Sequence, residues 1–223
     1  MKSRIIIFII SVQTVFVYTG FSQSTAGIYK VKFTIDRRLL NSVQVSQGNQ
    51  TIQNGGFNTV RLSDVDLDSI RQMIVNTVSS ELKANSECVY RTTRSGRKIV
   101  SYDGGSQQRG MPISSKKQAI KQFDKDYYVR VVVSYSPINS FSLGSTITGV
   151  SRTRPVVNIT IKAFNVERKC VYRKNVFVSD FAKLQSFQYT VNGVTIKNSE
   201  VLQPQQIREM LSKSLKELIE RGR

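Results

Sequence analysis

Two long stretches of this chain repeat apolar side chains at helical spacing: Leu67, Ile70, Ile74, Val78 and Leu82 in the first, and Ile207, Leu211, Leu215, Leu218 and Ile219 in the second. A helix with one apolar stripe has to bury it against another layer. That layer is a sheet, because the residues outside the stripes alternate with period two: Tyr29, Val31, Phe33 and Ile35; Tyr127, Val129, Val131, Val133 and Tyr135; Val157, Ile159 and Ile161. The expected fold class is therefore α+β, an antiparallel or mixed β-sheet with two main amphipathic helices at about 66–83 and 204–220 and long hairpins.

Local signals punctuate the pattern. Asp64, Asp66 and Asp68 sit where carboxylates cap the first helix and offset its dipole, and Pro204 opens the last. Asn192-Gly193 reads as a two-residue hairpin turn. The strand through Ile161 is expected to turn near Glu167-Arg168 and return from Cys170 to Val178. A hairpin from Cys88 to Tyr102 should turn at Ser95-Gly96, and Gly104, Gly105, Gly110 and Pro112 mark a loop before a short helix near Ser115 to Phe123. Residues 41–58, rich in Asn, Gln, Ser and Gly, read as a polar loop or arm, and 136–155 as a second long loop.

Residues 1–22 read as an export signal peptide: Lys2 and Arg4, an apolar run from Ile5 to Val17, and small residues at Gly20 and Ser22 where a signal peptidase reads. The run is interrupted by Gln13 and falls short of the ~20 residues a spanning helix needs. The expectations are cleavage before Gln23, one α+β domain over 23–223, and a periplasmic or secreted location.

The formal net charge is +18, with no histidine in the chain. Such an excess favours anionic partners. In a cytosol it would suggest nucleic acid; an exported chain meets cell-wall polymers, lipopolysaccharide or the acidic face of a protein complex instead. Across residues 88–121, Arg91, Arg94, Arg97, Lys98, Arg109, Lys116, Lys117 and Lys121 face only Asp103, and Tyr90 and Tyr102 interleave with the hairpin cations. The binding site expected from this run is Arg91, Arg94, Arg97, Lys98 and Arg109, its alternative a solvated hairpin face.

Cys88 and Cys170 each open the same tetrapeptide, Cys88-Val89-Tyr90-Arg91 and Cys170-Val171-Tyr172-Arg173. An even pair without CxxC spacing in an exported chain suggests two adjacent extended segments joined by a disulfide. Closing so long a loop would stabilise by roughly 4 to 5 kcal/mol in the chain-entropy model.

The absence of histidine excludes imidazole triads and histidine metal centres. Ser114-Ser115-Lys116-Lys117 has S-x-x-K spacing, but so do Ser80 to Lys83 and Ser95 to Lys98, with no K-T-G, and Ser115 reads as a helix cap. Asp64-x-Asp66-x-Asp68 has Ser69 and Val75 where a calcium loop needs glycine and glutamate. No catalytic residue, metal ligand or cofactor is assigned.

In element order, the helix at 66–83, the hairpin at 156–178 and the closing helix at 204–220 resemble small envelope α/β modules such as the TolB amino-terminal domain and the periplasmic domain of the curli secretion channel. The resemblance implies an accessory or assembly role. The expected function is an exported, non-enzymatic accessory or structural protein of a bacterial cell envelope, binding a protein complex or anionic envelope polymer through a basic surface. An envelope enzyme using Ser-Lys or carboxylate chemistry and a nucleic-acid-binding protein are the alternatives.

Overall fold

The structure, a computed structural model, describes residues 23–41, 43–47, 50–54, 65–102, 108–144 and 148–221. Residues 1–22, expected from the sequence to be a signal peptide, Asp64 and Asp103 lie outside the described residues. The fold is α+β. Strand β1 (Thr25–Ile35) leads through a single 3-10 turn (Arg37–Leu39) to β2 (Val43–Gln47) and β3 (Gln50–Asn54). Helix α1 (Leu67–Leu82), β4 (Asn85–Cys88), β5 (Val100–Tyr102), β6 (Gln108–Pro112) and the short α2 (Lys116–Gln122) follow. A run of strands, β7 (Tyr127–Gly144), β8 (Thr148–Phe164), β9 (Cys170–Val178), β10 (Leu184–Val191) and β11 (Val194–Ser199), ends in α3 (Pro204–Glu220).

Nine strands form one mixed sheet in the order β3-β2-β11-β10-β8-β7-β1-β4, and β9 also pairs with β8. The long β7–β8 hairpin is its axis. Its closed half runs beside β1 and β9, with Val129, Val131, Val133, Val157, Ile159, Ile161 and Ala163 buried in the main core. Its far half carries β10, β11, β2 and β3. Strand β1 is parallel to both β4 and β7, while β5 and β6 make a separate two-stranded sheet.

Helices α1 and α3 cover one face of the closed half. The stripe foreseen for α1 buries Ile70, Ile74 and Val78, and that of α3 buries Ile207, Leu211, Leu215 and Leu218. Tyr135, buried on the same face, donates its hydroxyl to the Ile207 carbonyl at 2.7 Å and ties β7 to α3. Asp66 caps α1 by accepting from the Ser69 amide at 3.1 Å, and Pro204 opens α3. On the opposite face α2 closes a smaller cluster of Tyr29, Val89, Ala119 and Tyr128.

Four expectations change. Residues 41–58 contain β2 and β3, because Val43–Asn198 and the pairs after it zip β2 onto β11 and supply the hydrogen bonds that polar side chains do not. Residues 136–144 and 148–155 are the far halves of β7 and β8, paired from Ser136–Val156 to Gly144–Gly149 with one register shift between Asn139 and Phe141, despite their Ser, Thr and Gly content. A bulge between Ile28 and Lys30 turns Tyr29 to the α2 side, away from Val31 and Phe33. Cys88 and Cys170 are free: β1, β7 and β8 lie between their strands, so the segments are neither adjacent nor bonded. At ~4.8 Å per strand, about 19 Å separates them, far beyond disulfide reach.

Candidate functional site

In the half beside β1, strands β7, β8 and β9 alternate a residue under α1 and α3 with one on the opposite face, which lies open beyond the α2 cluster at Tyr29 and Tyr128. On the open face the register brings like charges side by side. Lys30 pairs with Arg130, Arg130 with Lys162, and Lys162 with Arg173, so four cations stand in one row across β1, β7, β8 and β9. Three strand spacings of ~4.8 Å make the row about 14 Å long. Like charges directly opposite one another destabilise a sheet, so this row works against the fold that contains it.

No carboxylate of the described strands stands beside it. Among the described strands the sole carboxylate is Glu87, and it is taken by Lys125 at 2.6 Å. The same open face carries Arg152 and Arg154 farther along β8. Two buried guanidinium nitrogens on it, the Nε atoms of Arg130 and Arg154, and the Oδ1 of Asn158 have no hydrogen-bond partner. Groups of this kind are costly to leave unpaired. Burial raises the Tyr29 phenol's pKa, and the Arg130 charge pulls it back. Lys116 on α2 reaches across to the carbonyl of Arg168 at 3.0 Å, with its ammonium 4.2 Å from the Phe164 ring centroid, and adds a cation beside the row.

The residues expected from charge density alone fall elsewhere. The hairpin forms, with Thr92 bridging Lys98 and a turn closed by the Gly96 amide on the Thr93 carbonyl at 3.0 Å. Arg94, Arg97 and Lys98 are exposed around its tip, Arg91 is half-buried at its base, and Lys98 lies 5.1 Å from the Tyr90 ring centroid. Arg109 belongs to β6 by its backbone, and its side chain lies outside the described residues. Tyr90 faces inward: its hydroxyl and Arg71 share the Gly110 carbonyl, fastening the hairpin base to α1. The hairpin is an exposed basic tip; the sheet row is a fixed array.

The serine of the S-x-x-K match turns its hydroxyl to the backbone: Ser114 donates to the Ser115 carbonyl at 3.3 Å, and Ser115 forms a capping box with Gln118. Among the described residues no group of three or more Cys, Asp or Glu is placed to hold a metal ion. A cleft of about 310 Å³ between α3, the 179–183 connection and the start of β10 has apolar walls from Phe181, Leu184, Leu202 and Met210, with Lys213 on Asp180 at its rim. No described helix is long and apolar enough to cross a membrane.

No family model and no curated protein matches this sequence. Nineteen chains of solved structures do match. One is a neuraminyllactose-binding hemagglutinin homolog from Helicobacter pylori, at 7% identity and TM-score 0.40, covering 90% of this chain and 84% of that one. Another is the hypothetical protein CT253 from Chlamydia trachomatis, at 7% identity and TM-score 0.34, covering 90% of this chain and 96% of that one. Neither is a TolB or curli-channel domain, and likeness at this level carries no argument about function.

Proposed function

We propose that this chain is an exported, non-enzymatic accessory protein of a bacterial cell envelope that holds an anionic partner against the open face of its sheet. The observation that carries the reading is the Lys30–Arg130–Lys162–Arg173 row. A sheet that sets four cations in register at a cost to itself gains from an anion that bridges them. The reading of residues 1–22 as a leader supplies the compartment, where polyanions are envelope polymers and acidic protein faces. The likeness in element order to envelope modules points the same way.

The test is retention on immobilised polyphosphate, a probe for a linear polyanion, eluted by a salt gradient. Arg130→Glu with Lys162→Glu should lower retention at 0.1 M salt at least tenfold, whereas Arg94→Ser with Arg97→Ser and Lys98→Ser should change it much less. Equal loss in both variants would return the site to the hairpin, and no loss in the first would remove the sheet row. Amino-terminal sequencing of protein from an envelope fraction should begin at Gln23; an intact Met1 in a cytosolic fraction would overturn the export half.

A further inference from the structure

The open face changes character toward the far end of the β7–β8 hairpin. There Leu143 pairs with Val150 and Val150 with Phe187, and the next rows hold Tyr189 with Ile196 and Val191 with Val194. Phe187, Tyr189 and Val191 alternate along β10, while Ser186, Gln188 and Thr190 take the other face. In the closed half the apolar face lies under helices; here it is the opposite face, and no described element covers it. Leu143 is 67% exposed, Val191 57%, Phe187 55%, and Tyr189 and Ile138 45% each. Together these side chains present on the order of 400 Å² of apolar surface, at the upper end of what a monomer leaves bare.

Position and charge point to one occupant. Leu143 and Val191 sit at the ends of neighbouring hairpins, the second closed by Asn192-Gly193, so the patch is at an extremity of the sheet. Arg152 and Arg154 follow one and two residue pairs behind Val150 on the same face, about 7 and 13 Å along β8 at the rise of a strand. No carboxylate occurs in β2, β3, β7, β8, β10 or β11. A second copy laid face to face would set arginine against arginine. An anionic bilayer answers both halves: apolar side chains enter the acyl boundary, Tyr189 suits the interface, and arginines reach phosphates.

We infer that the far end of the open face docks on an anionic lipid surface through Leu143, Phe187, Tyr189 and Val191, with Arg152 and Arg154 on the headgroups. The inference rests on the proposed basic sheet face for its electrostatic half. The experiment is flotation of the purified protein, in the form its cell makes, with vesicles of phosphatidylglycerol and phosphatidylethanolamine or of phosphatidylcholine alone. The protein should float with the anionic vesicles and at least tenfold less with the neutral ones. Leu143→Ser with Phe187→Ser and Val191→Ser, all at exposed positions, should lose at least tenfold of that binding while keeping the circular dichroism and the polyphosphate retention of the wild type.

Unchanged flotation of this variant would overturn the inference. So would a concentration-dependent dimer that the variant turns into a monomer, without vesicle binding by the wild type. If Arg130→Glu with Lys162→Glu abolishes both polyphosphate retention and flotation while the serine variant floats normally, the lipid-docking patch falls and the basic row stands.

Discussion

Cys88 closes β4 against the main core, and that burial pushes its thiol up to about 11 even though the Arg71 guanidinium pulls the other way. Cys170 is exposed where β9 begins. Because the thiolate is the attacking species, iodoacetamide at pH 8 should modify Cys170 at least tenfold faster than Cys88, with the Cys88 rate climbing until about pH 11. Peptide mapping by mass spectrometry reads both rates, and equal labelling at pH 8 would contradict the burial of Cys88. The same shift has a stability sign. Between the ordinary thiol value of 9.0 and about 11 the folded chain keeps a proton that the unfolded chain releases, so the contribution of Cys88 is full below pH 9 and is lost as pH rises through that window.

The β7–β8 hairpin needs glycine where it closes. A Cβ on Gly144 would stand 2.3 Å from both the Gly149 Cα and the Thr148 carbonyl, and its φ of +152° is one that other residues rarely adopt. Gly144→Ala should therefore loosen the far end, costing about 1 to 3 kcal/mol locally. Hydrogen exchange should show lost protection at Thr148 to Arg152 and Phe187 to Val191, with the amides of α3 unchanged; full protection at the hairpin end would sink the prediction. These far halves are also where the sequence was least readable. The helices, the Glu167-Arg168 turn and Asn192-Gly193 are local signals, and each element formed where its signal stood. Strands β2, β3 and the ends of β7 and β8 are polar and exist through pairings, some between positions as distant as Val43 and Asn198. The basic row divides in the same way. A turn at 167–168 already sets Lys162 opposite Arg173, but Lys30 meets Arg130 only through a parallel pairing that includes a bulge. Density of charge along the chain pointed to Arg94, Arg97 and Lys98, which the fold leaves as a tip beside no second strand of cations.

Acids are scarce in the strands, whereas the helices carry both signs of charge. Asp68 and Glu81 lie on α1 with Arg71, and Glu209, Glu217 and Glu220 on α3 with Arg208, Lys213 and Lys216, while the strands carry Lys30, Lys32, Arg109, Arg130, Arg152, Arg154, Lys162, Arg173, Lys174 and Lys197 against Glu87 alone among the described strand residues. Some of this charge is used internally: Lys174 reaches Glu81 at 2.8 Å, and Tyr172 donates its hydroxyl to the same carboxylate, which joins β9 to α1. The open-face row has no such partner within the sheet, so its charge repulsion should appear in the stability of the whole protein. Lys162→Gln with Arg173→Gln should raise the thermal midpoint at low ionic strength by about 2 to 4 °C, corresponding to about 1 kcal/mol for a chain of this size. The gain should shrink as salt screens the row. Polyphosphate should raise the midpoint of the wild type, because a ligand that binds the folded state stabilises it by mass action, and should do so far less in the variant. Differential scanning calorimetry at two salt concentrations, with and without polyphosphate, separates the two effects. A variant that melts lower than wild type at low salt and still responds fully to polyphosphate would mean that the row is a structural feature of the sheet, held by its aliphatic stems rather than arranged for an anion.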